Sequence, residues 1–245
     1  LQNARIGSLS PLSIHLLHIN SILQLREREL SQSTRIFKAR GSKVLRCSLC
    51  LLPKANCICA AKPVAAGNSA FCFIVYKGEA YKPSNTGRLV ADVMVDNHAF
   101  LWHRTQPDAQ LLALLVDEQY VPIVVFPHQY AESARCIDTL DVATPLALGK
   151  KWLFVLLDGT WQEAKKMFKS DYLASLPVLG FQPKQRSRYF LRDAAHLHQL
   201  CTAEVAIEVL RLSGDNTSAE VLANYFTIFC QNYMVIKPYL LDKQR

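Results

Sequence analysis

The sequence predicts an α/β protein, a mostly parallel sheet with helices on both faces, joined to a small four-cysteine module on its amino-terminal side. Three observations predict it. Apolar runs of strand length alternate with stretches of helical spacing along the 245 residues, the pattern of a sheet layered between helices. Pro122–Phe126 (PIVVF) and Trp152–Leu157 (WLFVLL) are continuously apolar, as strands covered on both faces must be. Four of the eight cysteines fall within 13 residues.

The elements follow in chain order. Residues 1–19 mix Ser, Pro, His and Leu without periodicity and lack the small-residue cleavage site of a secretion signal. They stay unassigned. Residues 20–66 form a basic helix and the cysteine module. The helix spans Ser21–Thr34, with Ile22, Leu23, Leu25 and Leu30 at helical spacing. Residues 67–245 form the α/β domain. Its strands are expected at Phe71–Tyr76, Ala99–Trp102, Pro122–Phe126 and Trp152–Leu157. Its helices are expected at Leu89–Val95, after the capping loop Lys82–Arg88, and at Pro107–Glu118, Thr160–Lys169, Thr202–Leu212 and Ala219–Met234.

Cys47, Cys50, Cys57 and Cys59 read C-x2-C-x6-C-x-C. Thiols this crowded, with no export signal, fit a tetrahedral zinc site better than disulfides, which need an oxidising compartment and a set Cα separation. A redox role and chance clustering are the alternatives. Such a zinc has no open ligand position, so its role is structural. Cys72, Cys136, Cys201 and Cys230 sit singly in apolar settings and read as core residues.

The formal net charge of +8 is unevenly spread. Residues 1–60 hold nine Lys/Arg against two acids, and residues 61–245 hold nineteen against eighteen. A basic end on a near-neutral body suits a polyanion, because Lys and Arg release condensed counterions when they meet phosphates. A solvated basic helix with no partner has the same composition. The longest apolar runs, such as Leu111–Val116, fall far short of the ~20 residues a bilayer crossing needs. A cytoplasmic protein without membrane association is expected.

Open α/β sheets bind ligands beyond the carboxyl ends of their strands. Two such ends are chemically distinctive here: Phe126-Pro127-His128, and Leu157-Asp158-Gly159-Thr160-Trp161. In the second, a carboxylate leaves the sheet, a glycine permits close approach, and a large aromatic follows. Ordinary helix capping by Asp158 or Thr160, with Trp161 in the core, explains the same residues.

Together these segments resemble the DTW-domain family. Asp158-Gly159-Thr160-Trp161 matches its D-x-T-W signature, with Gly159 in the variable position. The cysteine pattern at 47–59, Lys-Pro-Ser-Asn-Thr-Gly-Arg-Leu at 82–89, Val-Val-Phe-Pro at 124–127 and Cys-Thr-Ala-Glu-Val-Ala at 201–206 are similar to its other blocks, in the family's order. The resemblance covers roughly residues 22–236 and extends to the bacterial tRNA-uridine aminocarboxypropyltransferases. It implies a SPOUT-like fold, knotted near the carboxyl terminus. It also implies transfer of the 3-amino-3-carboxypropyl group of S-adenosylmethionine to N3 of a variable-loop uridine in tRNA.

On that resemblance, Asp158 is expected as the general base that ionises the uracil imide, or as the group that orients it. Phe126, Pro127, Leu157, Asp158, Gly159, Thr160, Trp161, Thr202 and Glu204 are expected around the S-adenosylmethionine. Trp161 would pack against adenosine or hold the loop. Thr202 either contributes to the site or caps its helix, and Glu204 either meets the donor's amino group or pairs with an arginine. Lys82, Asn85, Thr86 and Arg88 are expected on the substrate side. So are Arg186, Arg188, Tyr189 and Arg192, where basic and aromatic residues interleave as in RNA-stacking surfaces; alternation along an exposed strand explains that last group equally. A methyltransferase on the same scaffold and a non-catalytic zinc-containing RNA-binding protein are the rival functions.

Overall fold

The structure is a computed structural model that describes residues 19–34, 44–65, 67–141, 145, 147–181 and 200–236. Six described strands form one sheet: β1 (Ala70–Val75), β2 (Asn97–Leu101), β3 (Tyr120–Val125), β4 (Cys136–Ile137), β5 (Lys151–Asp158) and β6 (Val178–Leu179). Their order is β2-β1-β5-β3-β6-β4, and every pairing is parallel. The late strand β5 therefore lies between β1 and β3.

All six residues of β1 are buried, so its side chains alternate between two apolar layers. On one face Phe71, Phe73, Val75, Ile123, Val125, Phe154 and Leu156 pack against helices α1 (Ser21–Ser31), α2 (Gly87–Val93), α5 (Thr202–Leu212) and α6 (Asn216–Ile236). On the other, Cys72, Ile74, Val124, Phe126, Leu153 and Val155 pack against α3 (Ala109–Leu115) and α4 (Trp161–Phe168). Cys72 is a core residue, as expected, while Cys136, Cys201 and Cys230 are only half-buried.

Local chemistry explains most boundaries. Asn20 caps α1 by accepting from the Leu23 N–H at 3.0 Å, and Asp108 caps α3 by accepting from the Gln110 N–H at 2.8 Å. Pro122 is tolerated in a central strand because its missing N–H lies before β6 begins: β6 meets β3 only at Val124 and Val125. The first helix ends at Ser31, three residues short of the expected end. Strands β4 and β6 were not legible in sequence, since two residues carry no period.

The first helix and the cysteine module share the core of the sheet: Ile22, Leu25, Cys50, Leu52, Ile58 and Ala65 belong to the same apolar cluster as Phe71 and Phe73. No helix among the described residues is long and apolar enough to cross a membrane.

Asp96 fastens the amino ends of the strands. Its carboxylate accepts from the Tyr120 hydroxyl at 3.1 Å and from Lys151 Nζ at 2.8 Å, and lies 3.1 Å from His98 Nε2. Burial pushes the carboxyl up, but His98, Lys151 and Tyr120 outweigh it and hold it at about 2. Stability from this depressed group is fully present above its ordinary value of 3.8 and is lost as pH falls through about 2. Asp96→Asn is expected to lower the unfolding free energy at pH 7 by on the order of 1–2 kcal/mol in urea titrations. The gap from wild type should narrow only below about pH 4; a gap that stays constant down to pH 2 would contradict the assignment.

Candidate functional site

The D-x-T-W turn straddles the carboxyl edge of the sheet. Strand alternation sends Asp158 to the α2–α5 face and Leu157 to the α3–α4 face, and the chain then enters α4 on the latter side. Gly159 makes the crossing possible: a Cβ there would stand 3.2 Å from Tyr76 Cβ and from Glu163 Cβ.

On the first face Asp158 is 2% exposed. Asn85 Nδ2 donates to its Oδ2 at 2.6 Å and the Thr202 hydroxyl donates to its Oδ1 at 2.8 Å. Its backbone carbonyl accepts from the Tyr76 N–H at 2.9 Å. Gly87 is the second close approach, since a Cβ would lie 2.8 Å from Asp158 Oδ2. Next to this junction the Thr86 hydroxyl oxygen accepts from the Ala203 N–H at 3.3 Å. One carboxylate thus joins the end of β5, the loop before α2 and the first turn of α5.

The structure places the expected residues as follows. Asp158 is buried with both oxygens engaged, and it joins three segments. Thr202 is not the cap of its helix, because Cys201 occupies that position and Thr202 reaches Asp158. Glu204 caps α5, accepting from the Cys201 N–H at 2.9 Å. Arg88, expected at the substrate, is wholly buried in the core: Nη1 meets Asp92 at 3.3 Å, and the guanidinium lies 5.7 Å from the Phe229 ring. Lys82 is half-exposed, with its ammonium 2.5 Å from the buried Glu79. Arg186, Arg188, Tyr189 and Arg192 lie outside the described residues.

On the second face the turn is aromatic. Trp161 stacks on Phe126 with centroids 5.4 Å apart, and Phe126 stacks on Phe168 at 4.4 Å. Tyr130 meets the edge of Trp161 at 5.6 Å, and Lys165 Nζ lies 6.0 Å from the Tyr130 ring centroid. Trp161 therefore fixes the turn against Pro127's neighbour Phe126, and only part of its surface faces outward. Thr160 and Glu163 form a capping box at the start of α4, with 2.7 Å bonds from the Thr160 N–H and hydroxyl to the Glu163 carboxylate. Tyr130 was not singled out in the sequence; its only signal is an aromatic residue soon after a strand end.

The four cysteines converge. Their sulfurs all lie within 4.8 Å of one another, with Cys47 to Cys59 at 3.5 Å and Cys50 to Cys57 at 3.7 Å. Four sulfurs each about 2.3 Å from one zinc ion stand about 3.8 Å apart, so the donor set fits the metal. Burial pushes the Cys47 thiol up, but the N–H groups of Cys50 and Leu49 and the neighbouring thiols bring it down to about 6. Those N–H groups are the knuckle that stabilises a thiolate. Leu51 closes the turn at φ 57°.

Beside the module lies a cavity of about 250 Å³ lined by Asn20, Gln24, Glu27, Cys50, Lys62, Asp92 and others. It is on the module side and includes neither Asp158 nor Trp161. At its base Asp92 accepts from Asn20 Nδ2 at 2.8 Å, Lys62 Nζ lies 3.1 Å away, and the Tyr225 hydroxyl donates at 3.2 Å. Asp92 was missed in the sequence, although its i,i+4 spacing from Arg88 was the available signal.

Residues 44–234 match the DTW domain. The chain belongs to the DTW-domain family. No solved structure matches it. Membership is consistent with a tRNA-modifying enzyme, and the cysteine cluster with a bound metal.

The purified protein is expected to carry one zinc per chain by elemental analysis. Cys50→Ser, or a strong chelator, should release it and lower the midpoint of thermal unfolding by several degrees, because metal binding and folding of such a site are one equilibrium. A metal-free chain with unchanged stability would remove the zinc assignment.

Proposed function

We propose that this protein is a cytoplasmic tRNA-uridine aminocarboxypropyltransferase. It transfers the 3-amino-3-carboxypropyl group of S-adenosylmethionine to N3 of a variable-loop uridine in tRNA and releases methylthioadenosine. The observation that carries this reading is the meeting of three family blocks at one carboxylate. Asn85 comes from 82–89, Asp158 from 157–161 and Thr202 from 201–206, and they meet where open parallel sheets bind ligands. A late strand lodged between two earlier ones also supports a SPOUT-like sheet, whose knot belongs to the carboxyl-terminal part.

The donor is a sulfonium with three electrophilic carbons, so the carbon presented to the nucleophile decides the product. Uracil N3 loses its proton to solvent and forms the new bond at the methionine Cγ. The Cγ–S bond breaks, its electron pair returns to sulfur, and neutral methylthioadenosine leaves. Asp158 acts here as a positioning residue: it fixes Asn85 and the first turn of α5 so that the cleft keeps its shape. Phe126 and Phe168 back the Trp161–Tyr130 surface, which offers a flat base a stacking partner. Pro127, Leu157, Gly159, Thr160 and Glu204 shape the same wall. Lys82, Arg186, Arg188, Tyr189 and Arg192 are assigned to the tRNA.

Incubation of the protein with S-adenosylmethionine and unmodified tRNA, followed by mass analysis of digested nucleosides, is expected to give an aminocarboxypropyluridine and methylthioadenosine. A methylated nucleoside would make the enzyme a methyltransferase. Binding with no product would make it a non-catalytic RNA-binding protein.

Positioning and base roles for Asp158 separate in variants that leave the carboxylate in place. Thr202→Val and Asn85→Ala each remove one hydrogen bond to the carboxylate, worth about 1.5–3 kcal/mol, and Asn85→Ala also removes the acceptor of the Arg88 N–H. For a positioning residue, both are expected to lower kcat/KM at least tenfold, as is Asp158→Asn, without moving the pH–rate profile. Full turnover in Thr202→Val beside an inactive Asp158→Asn would restore the base.

A further inference from the structure

Between Glu29 and Glu79 the chain contains no Asp or Glu, while it carries Arg35, Lys38, Arg40, Lys43, Arg46, Lys54, Lys62 and Lys77. The cysteine module sits in the middle of this acid-free run. Its inward side chains are satisfied: Cys50, Leu51, Leu52 and Ile58 are all at most 3% exposed. Three large apolar residues nevertheless face outward on it, Val44 at 40%, Leu45 at 74% and Leu49 at 59% exposure.

The module's backbone brings these residues next to cations. Lys54 N–H donates to the Leu45 carbonyl at 3.0 Å, and Arg46 bridges Pro53 in antiparallel fashion. Leu45 and Lys54 are exposed side by side, while Arg46 beside them is half-buried and donates one guanidinium N–H to the Leu51 carbonyl at 3.1 Å; together they form one small ledge. Lys62, by contrast, is held by Asp92 at 3.1 Å. Leu49 lies in the turn between Cys47 and Cys50 that the metal would hold rigid.

We propose that this ledge is a second RNA-docking surface, with Lys54 and the remaining guanidinium donors of Arg46 on phosphates and Leu45 and Leu49 against unstacked bases of a loop. The inference rests on the proposed function only for the RNA being a tRNA. Charge complementarity selects the occupant: a chain segment that carries cations and no acid suits a polyanion, and exposed apolar side chains on it suit bases splayed from a single-stranded segment. The zinc then has a role toward substrate as well as toward folding, because it fixes the turn that carries Leu49.

The test uses the full zinc-loaded chain and fluorescence anisotropy with an unmodified tRNA transcript, without S-adenosylmethionine, over a range of salt concentrations. Lys54→Glu is expected to weaken binding about tenfold and to make the slope of log affinity against log salt shallower by about one unit. Leu45→Ser should weaken binding several-fold with the salt slope unchanged. Zinc content, measured alongside, should stay at the wild-type level in both. Affinity within twofold of wild type in both zinc-loaded variants overturns the proposal and gives the ledge to a protein partner. Lost affinity with no aminocarboxypropyl product in the transfer assay would keep the docking surface and discard the reaction. Product formation with unchanged affinity would do the reverse.

Discussion

The buried carboxylate of Asp158 is the constraint on which the site depends. Asn85 Nδ2 and the Thr202 hydroxyl both donate to it. Asn85 cannot turn its amide round to suit another partner, since its own Oδ1 already accepts from the Arg88 N–H at 2.9 Å. An asparagine at 158 could keep the Asn85 bond only by turning its own NH2 to the Thr202 hydroxyl, which would then have to accept and lose its bond to a carboxylate. Among short side chains only an ionised aspartate accepts at both ends and donates at neither. Gly87 follows from the same constraint, because any side chain there would strike the carboxylate.

Much of this was legible in the sequence, and the reason is periodicity. Strands β1, β3 and β5 are buried on both faces, so they appear as unbroken apolar runs, and α5 was placed at its observed bounds, Thr202–Leu212. The cysteine cluster was legible because four ligands within one short loop need little tertiary information. The direction of individual polar side chains was not. Arg88 reads as a surface donor in a loop rich in Ser, Asn and Thr, yet it is the second residue of a helix whose every residue is buried. Glu204 and Thr202 differ in role because the cap falls one residue earlier than a threonine at a helix start suggests. That shift depends on how α5 meets β5, which no local pattern records.

The signature itself divides by strand parity. Asp158 and Trp161 are three residues apart in sequence but lie on opposite faces of the sheet. One end of the motif is polar and belongs to the junction of β5, α2 and α5. The other is aromatic and belongs to the layer of Phe126 and Phe168. The four-residue motif therefore packs against both faces of the sheet at the carboxyl end of β5, with the aspartate on one side, the aromatic on the other and a small residue at the crossing.

Helix α2 links this junction to the cysteine module. Seven residues long, it has Asn85 and Gly87 against Asp158 at its start, and near its end Asp92 gathers Asn20, Lys62, Arg88 and Tyr225. Lys62 lies three residues beyond Cys59, so one polar tie of the module to the body is the same carboxylate that meets Arg88. Loss of the metal would free the chain around Lys62, loosen the Asp92 cluster and slacken the helix that presents Asn85. A metal held by the four cysteines would thus bear on Asn85 and Asp158 through the seven residues of α2, by rigid packing.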